Sequence, residues 1–294
     1  MVDVVCVGIL VADVIVRPAD TLPARGTLGI VDAIELHGGG CALNVSSRLV
    51  QEGLDAAVVG KVGADAFGDF LLGLLAQRGV DGTAVVRDPE VATSASVVLV
   101  DSSGERTFVH VPGANAALHA DEIGDAAFDG RALHVGGSLV LDALDGEPTA
   151  RLLAQAQRRG ILTSLDPVFD PRGRWQLVVP ALPQCDLVTP SLAEAQAITG
   201  AQDAADAARR LHELGAHIVA VTLGADGCHL VADGIDERVP APKVHAVDGT
   251  GAGDAFAAAF LAALLAGERP LECARRANDA GAQAVTTLGA FPLR

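Results

Sequence analysis

The feature that most constrains the fold of this chain is a regular alternation of short apolar runs with longer amphipathic stretches. The apolar runs have the length of buried strands, and the stretches between them are rich in Ala and Leu and long enough for helices. This order is typical of a mostly parallel sheet that is covered by helices on both faces. The sequence therefore predicts a doubly wound α/β fold. The predicted strands are residues 4–9, 57–60, 132–136, 161–166, 187–189 and 218–223, and the predicted helices are residues 41–51, 66–78, 148–159, 193–199, 204–214, 251–266 and 271–286.

Two segments, residues 14–36 and 91–111, do not follow this alternation. Neither has a helical period, and the second alternates like a hairpin with the sequence DSSG, residues 101–104, at its turn. We expect the two segments to form a small β-sheet lid over the mouth of the main sheet, where a lid can exclude water. The 294 residues contain no internal repeat and no linker, so we expect one domain that spans residues 1–294.

Composition argues against several classes of function. The formal net charge is −16, and no cluster of Lys and Arg with interleaved aromatic residues offsets it, so we expect neither nucleic acid nor a membrane as a partner. No apolar run is long enough to span a bilayer. The five cysteines are scattered without the spacing of metal ligands, which predicts buried, reduced thiols. Asp3 stands where a secretory signal would carry Lys or Arg, and we expect a cytoplasmic protein.

The segment DGTGAGD, residues 248–254, runs directly into an apolar stretch of helical length. The first amides of a helix lack intrahelical partners and lie at the positive end of its dipole, so Gly251, Ala252 and Gly253 form a candidate site for a phosphate. Asp254 would repel that phosphate unless it takes a proton from an attacking hydroxyl, as the base of a kinase does. The alternative is a capped core helix that happens to begin with Gly and Asp.

A second candidate site lies earlier in the chain. Gly38 and Gly39 precede the first long predicted helix and allow a ligand to lie against the backbone, while Asn44 offers both a donor and an acceptor to hydroxyl groups. Asp13 follows the first predicted strand, and open α/β sheets bind ligands at the carboxyl ends of their strands. Taken alone, an Asp at this position is more often a turn or cap residue. Together, these residues predict a site for a sugar.

Four motifs in the same order carry a resemblance to a known family. They are the block of residues 38–44, GKVGADAFG at residues 60–68, TLGADG at residues 222–227 and GAGD at residues 251–254. Over nearly its whole length, the chain resembles the ribokinase-like (phosphofructokinase-B type) carbohydrate kinases. The resemblance implies a ribokinase-like fold and ATP-dependent phosphorylation of a sugar hydroxyl, in a homodimer whose β-sheet lid closes the site.

The resemblance also implies roles for individual residues. Asp254 would be the base, with Gly251, Ala252 and Gly253 as the anion hole, and Asp13, Gly38, Gly39 and Asn44 would hold the sugar. Thr222, Gly224 and Gly227 would follow the phosphates and ribose of ATP, with Asn278 near the adenine. Asp248 and Thr250 match part of a loop that binds a monovalent cation such as K⁺ in members of the family.

Some positions depart from the family pattern. Ser191 replaces the Asn that usually stands three residues before Glu194, in a pair that is linked to Mg²⁺ and phosphate. A hydroxyl can hold a water of the Mg²⁺ shell, so we expect weakened geometry rather than lost activity. A helix capping box explains the same spacing equally well. Gly249 stands where the family favours Thr, which loosens the loop before the anion hole.

The departures also bear on the substrate. Val168 and Asp170 occupy positions where kinases of sugar acids and fructose often carry Asn and Arg, although Arg172 or Arg174 lie near enough to substitute. The chain has no Tyr, so it lacks the tyrosine contacts that the resemblance associates with ketodeoxygluconate-type kinases, and a sugar acid is less expected. We therefore expect a neutral monosaccharide such as ribose or fructose, with a nucleoside as the next alternative and a sugar acid after it.

Functions outside this class fit the sequence less well. HGGG at residues 37–40 matches the oxyanion-hole motif of lipases, but the nearest candidate for a nucleophile elbow, residues 136–140, lacks its final Gly. No strand is followed by the GxGxxG of a dinucleotide-binding enzyme. The remaining alternative is a sugar- or nucleotide-binding protein with weakened catalysis, suggested by Ser191 and Gly249. Retention of Asp254 argues against it.

Overall fold

The computed structural model describes residues 2–287, and its main element is an eight-stranded sheet. The first strand pairs in parallel with a strand on either side, and the parallel pairing continues through six strands before an antiparallel hairpin ends the sheet. In spatial order the strands are β14 (Ile235–Val239), β13 (Cys228–Ala232), β12 (Ile218–Thr222), β11 (Leu187–Val188), β10 (Leu162–Pro167), β9 (Gly130–Ser138), β1 (Val2–Gly8) and β4 (Ala56–Val59). The predicted mostly parallel α/β sheet is confirmed.

The strands are buried because their alternate side chains meet helices on both faces. In β1, Val5 and Val7 pack with the helices of one face, and Val4 and Cys6 pack with those of the other. The first face carries α5 (Glu147–Arg158), α6 (Leu192–Thr199) and α7 (Ala204–Glu213); the second carries α1 (Cys41–Gln51), α2 (Ala66–Gln77), α8 (Ala252–Leu265) and α9 (Pro270–Ala284). The ends of all seven helices lie within two residues of the predicted bounds.

Several short elements fall outside the predicted set. The hairpin of β13 and β14 extends the edge of the main sheet, and a two-stranded parallel sheet joins β5 (Lys61–Gly63) to β6 (Val86–Asp88). Two four-residue helices, α3 (Gly113–Ala116) and α4 (Ala120–Ile123), lie in the chain before β9. Within residues 2–287, no helix combines the length and the apolar character needed to cross a membrane.

A second, four-stranded sheet stands at the carboxyl end of β1, because the chain passes from β1 almost directly into its first strand. Its spatial order is β3 (Ala33–Gly39), β2 (Val11–Arg17), β7 (Ala95–Val100) and β8 (Arg106–Val111). β7 and β8 form an antiparallel hairpin, and at its turn the amide of Gly104 donates to the carbonyl oxygen of Asp101 at 3.0 Å. The smaller sheet therefore lies over the edge of the main sheet at which open α/β folds bind ligands.

Candidate active site

Three distant segments of the chain meet between the two sheets. β2 brings Asp13, the junction of β3 and α1 brings Gly38, Gly39 and Asn44, and the first turn of α8 brings Asp254. They line one cavity of about 190 Å³. The other residues that line it are Ile15, Arg17, Glu35, Leu36, His37, Gly40, Phe70, Leu74, Arg78, Val98, Val100, Arg106, Phe108, Asp248, Thr250 and Gly251.

Asp254 and Asn44 face each other because each lies in the first turn of its helix, and α1 packs against α8. The amide nitrogen Nδ2 of Asn44 donates to Oδ2 of Asp254 at 2.8 Å. Asn44 is 5% exposed, and its Oδ1 is buried with no hydrogen-bond partner among the described residues. Buried polar atoms are normally satisfied, so this oxygen is suited to accept a hydrogen bond from a ligand hydroxyl.

The environment of Asp254 suits a base. Burial raises the pKa of Asp254, and the hydrogen bond from Asn44 partly opposes this effect. A carboxylate with a raised pKa holds a transferred proton better than an exposed carboxylate does.

The start of α8 is open to a ligand. Gly251 has the left-handed φ of 74°, which a residue with a side chain adopts only with strain, and it turns the loop into the helix. Gly253 is exposed, and a Cβ atom added there would meet nothing within 4 Å. The segment of Gly251, Ala252 and Gly253 is thus at the surface of the cavity region rather than occluded in the core.

Because Gly39 has no side chain, the carboxyl group of Asp13 can lie close to the backbone of Gly39. A Cβ atom on Gly39 would lie 2.3 Å from Oδ2 of Asp13, and one on Gly38 would lie 2.2 Å from the side chain of Leu74. Burial raises the pKa of Asp13, while Ser96, His37 and Arg106 each lower it.

We expect Gly39→Ala to reduce kcat/KM for the expected sugar substrate about 100-fold, because a displacement of Asp13 by about 1 Å would misplace the hydroxyls that Asp13 is expected to hold. Steady-state kinetics on the purified variant would measure this loss. Gly73→Ala is the matched control, since Gly73 is exposed on α2 with open space at its Cβ position, and it should keep wild-type kinetics. Equal kinetics for the two variants would contradict the role of Gly39.

The residues expected to bind the nucleotide do not line this cavity. Thr222 ends β12 and bridges to Ser191 beyond β11, so both lie at the same edge of the main sheet. A Cβ atom added at Gly224 would meet open space, whereas a Cβ atom added at Gly227 would lie 2.1 Å from the carbonyl oxygen of Val239. Gly227 is therefore required by local packing, whatever it binds.

Three of the predicted site residues, Ser191, Glu194 and Asn278, take part in local hydrogen bonds. The amide of Ser191 donates to Oε2 of Glu194 at 2.8 Å, and the amide of Glu194 donates to Oγ of Ser191 at 3.4 Å, which is the capping box that the spacing also predicts. Asn278 is 4% exposed, and its Nδ2 donates to the carbonyl oxygen of Val239 at 2.9 Å. This bond ties α9 to β14.

One acidic residue of the site, Asp166, was not predicted from the sequence; it is the next-to-last residue of the buried strand β10. One ligand atom from each of Cys41, Asp166 and Asp254 lies within 4.8 Å of the others. The pKa of Asp166 is well above its ordinary value because the residue is buried and because Glu194 and Asp254 add negative charge. Burial also raises the pKa of Glu194. Asp166 is buried and Glu194 and Asp254 are half-buried, and three carboxyl groups that interact in such surroundings favour the binding of a cation. A carboxylate at the carboxyl end of a predicted strand, as at Asp13, was the available signal.

A second missed residue is basic. Arg106, the first residue of β8, reaches across the cavity to Asp248 and Thr250, the two residues expected to bind a monovalent cation. By contrast, Arg172 and Arg174 bind Asp142, Asp170 and the carbonyl oxygen of Leu139, away from the cavity.

Comparison with known proteins identifies the class of protein to which this chain belongs. The sequence is 35% identical to fructokinase-1 of Zea mays over 274 residues, which covers 86% of this chain and 84% of that protein. The fold matches the ribokinase of Thermotoga maritima with a TM-score of 0.85 and 26% identity, covering 99% of this chain and 95% of that chain. It matches a fructokinase double mutant from Vibrio cholerae O395, in a form with fructose, ADP and potassium ion bound, with a TM-score of 0.82 and 28% identity over 98% and 94% of the two chains.

The fold of this chain and its similarity to these proteins show that it is a carbohydrate kinase with the ribokinase-like fold. The model of the pfkB family of carbohydrate kinases matches residues 1–292, and the chain belongs to that family.

Proposed function

We propose that the chain is a cytoplasmic kinase that transfers the γ-phosphoryl group of ATP to a hydroxyl of a small neutral monosaccharide, ribose or fructose. The observation that carries the proposal is the meeting of Asp254, Asn44 and Asp13 in one cavity beside the open start of α8. The names of the relatives support the sugar class, and the ADP in the Vibrio cholerae fructokinase supports an adenine nucleotide. All five cysteines are free and buried, in keeping with a reducing compartment.

In this proposal the sugar lies against Gly38 and Gly39, with its hydroxyls on Asp13 and on the unpartnered Oδ1 of Asn44. Asp254 takes the proton of the attacking hydroxyl, whose oxygen forms a bond to the γ-phosphorus as the bond to ADP breaks. The amides of Gly251, Ala252 and Gly253 receive the negative charge of the transferred group. The proton then leaves Asp254 for solvent.

We assign the nucleotide to the neighbouring strand ends, with Thr222, Gly224 and Gly227 along the phosphates and ribose and Asn278 toward the adenine. Mg²⁺ bound with ATP neutralises phosphate charge. The carboxyl groups of Asp166 and Glu194 would face it, through water at Glu194 and the hydroxyl of Ser191. Their raised pKa values support this, because a cation would relieve the repulsion among buried carboxylates.

A neutral substrate is supported by the charges of the cavity. Of the three arginines that line it, Arg17 is paired with Glu35 at 2.8 Å, Arg106 is paired with Asp248, and Arg78 donates to Oγ of Ser47 at 3.2 Å. The carboxylates of Asp13 and Asp254 would repel an anionic sugar. A volume of about 190 Å³ is below the range of about 300–1,000 Å³ typical of drug-sized ligands, which favours a monosaccharide over a nucleoside.

We further propose that residues 1–294 act as one domain, that the smaller sheet is its lid, and that two copies pair through the outer face of this sheet. The side chains of the lid alternate between the cavity and the outside. Val14, Val97 and Val109 form one outward row across β2, β7 and β8, and Val97 and Val109 are 40% and 64% exposed. An exposed apolar row of this kind is suited to a symmetric interface.

The proposal is tested by a screen of ADP release from MgATP over pentoses, hexoses, ketoses, sugar acids and nucleosides. We expect turnover with ribose or fructose and little with sugar acids. Preference for a nucleoside or a sugar acid would show that the chain is a nucleoside kinase or a sugar-acid kinase of the same fold. Sugar binding by thermal shift without turnover of any compound would instead indicate a binding protein with weakened catalysis.

A further inference from the structure

Arg106 joins the smaller sheet to the loop that precedes the anion hole. It is the first residue of β8 and pairs with Val100, at the end of the sheet that approaches the loop. The seam between them is lined from the sheet side by Val100, Arg106 and Phe108 and from the loop side by Val247 and Asp248. No local pattern predicts this contact, because Arg106 and Thr250 are 144 residues apart.

The contacts of Arg106 use both oxygen-bearing side chains of the loop. Its Nη2 lies 2.5 Å from Oδ2 of Asp248, and its Nη1 donates to Oγ1 of Thr250. Oδ1 of Asp248 accepts the amide of Thr250 at 2.9 Å and the Thr250 hydroxyl at 2.8 Å. The side chain of Asp248 is only 4% exposed and that of Arg106 is 25% exposed. Gly251 follows at once, so whatever fixes Asp248 and Thr250 also fixes the start of α8.

We infer that Arg106 is a positioning residue that supplies, from the smaller sheet, the positive charge which a monovalent cation would otherwise supply to Asp248 and Thr250. A guanidinium presents several donors in a fixed fork and keeps its charge at every accessible pH, so it can satisfy a carboxylate and a hydroxyl together. A K⁺ ion added to the same oxygens would meet the like charge of Arg106 at close range in a poorly solvated place. The structure therefore does not fit K⁺ on the side chains of Asp248 and Thr250 while Arg106 is bound.

The inference rests on the proposed function and adds a consequence to it. Because the charge comes from the smaller sheet, the anion hole is fully ordered only when that sheet lies over the cavity. Closure over the sugar and ordering of the phosphate site would then be one event. The reaction of the wild type should be insensitive to K⁺, and removal of Arg106 should create a K⁺ response.

The test compares the wild type, Arg106→Ala and Arg106→Lys in KCl and in choline chloride at an equal ionic strength of about 0.1 M. In choline, we expect Arg106→Ala to lower kcat about 100-fold, as misplacement of a catalytic group does. KCl should restore part of this loss in Arg106→Ala and change the wild type less than twofold. Arg106→Lys should retain more activity than Arg106→Ala in choline, because it keeps the charge.

A second readout needs no substrate. Without sugar or ATP, K⁺ should raise the Tm of Arg106→Ala by about 2–4 °C over choline, because an ion that binds only the folded chain stabilises it. Neither the wild type nor the control Arg209→Ala should show this shift. Arg209 forms an exposed pair with Asp236, far from the cavity.

Equal K⁺ responses of the wild type and Arg106→Ala, in kcat or in Tm, would overturn the inference, as would undiminished kcat of Arg106→Ala in choline. If Arg106→Ala does not fold, Arg106→Gln is read by the same criteria. If the wild type phosphorylates no sugar, the proposed function fails, and the Tm comparison still decides the role of Arg106.

Discussion

Asp254→Asn is expected to lower kcat by about 10⁴-fold, at the upper end of the range for loss of a general base, while KM for the sugar changes little. The physical reason is that the amide keeps the shape of the carboxylate and can still accept the hydrogen bond from Asn44, but it cannot take a proton. Coupled measurement of ADP release over a range of sugar concentrations gives both constants.

Thermal unfolding supplies the control for this variant. Burial raises the pKa of Asp254, so its contribution to stability is full below the ordinary carboxyl pKa and is lost as the pH rises through the raised value. Near neutral pH the variant should therefore be at least as stable as the wild type. Asp125→Asn removes a carboxylate from an exposed pair with Arg159 and should leave turnover unchanged. Near-normal turnover of Asp254→Asn would show that Asp254 is not the base.

Asp13→Asn is expected to raise KM for the sugar about 100-fold, the effect of losing a charge-assisted hydrogen bond to the ligand. The carboxylate can accept hydrogen bonds from two neighbouring hydroxyls, whereas the amide has one acceptor and presents two donors that clash with hydroxyl donors. KM for ATP should stay within about twofold, because the nucleotide is assigned to other strand ends. Steady-state kinetics with each substrate varied in turn measures both effects. A rise in KM for ATP alone would contradict the assignment of Asp13 to the sugar.

Much of the fold was predictable because apolar runs of strand length and amphipathic stretches of helix length alternate regularly along this sequence. Helices such as α1 and α8 have long apolar faces and Gly at their starts, and their bounds follow the pattern closely. The hairpin of β13 and β14 was not predicted, because residues 235–239 read IDERV and three of them are exposed at the sheet edge. An edge strand of this kind is defined by its neighbour and not by its own apolar pattern.

The site was predictable where one short segment carries the chemistry. Asp254 follows its glycines in sequence, and Asp13 follows a strand whose carboxyl end points to the same edge. Arg106 could not be assigned in this way, since its partners depend on how the smaller sheet folds over a distant loop. Ser191 and Glu194 show the opposite case, because the capping box that they form and the role toward Mg²⁺ and phosphate that we propose have the same spacing.

Product analysis tests the central claim of sugar phosphorylation most directly. The wild type would be incubated with MgATP and ribose or fructose, and the products quantified by phosphorus NMR and mass spectrometry. We expect one sugar phosphate monoester for each ADP formed, since a cavity covered by the proposed lid favours the sugar hydroxyl over water. ADP and inorganic phosphate without a sugar phosphate, or no ADP with any sugar of the screen, would contradict it.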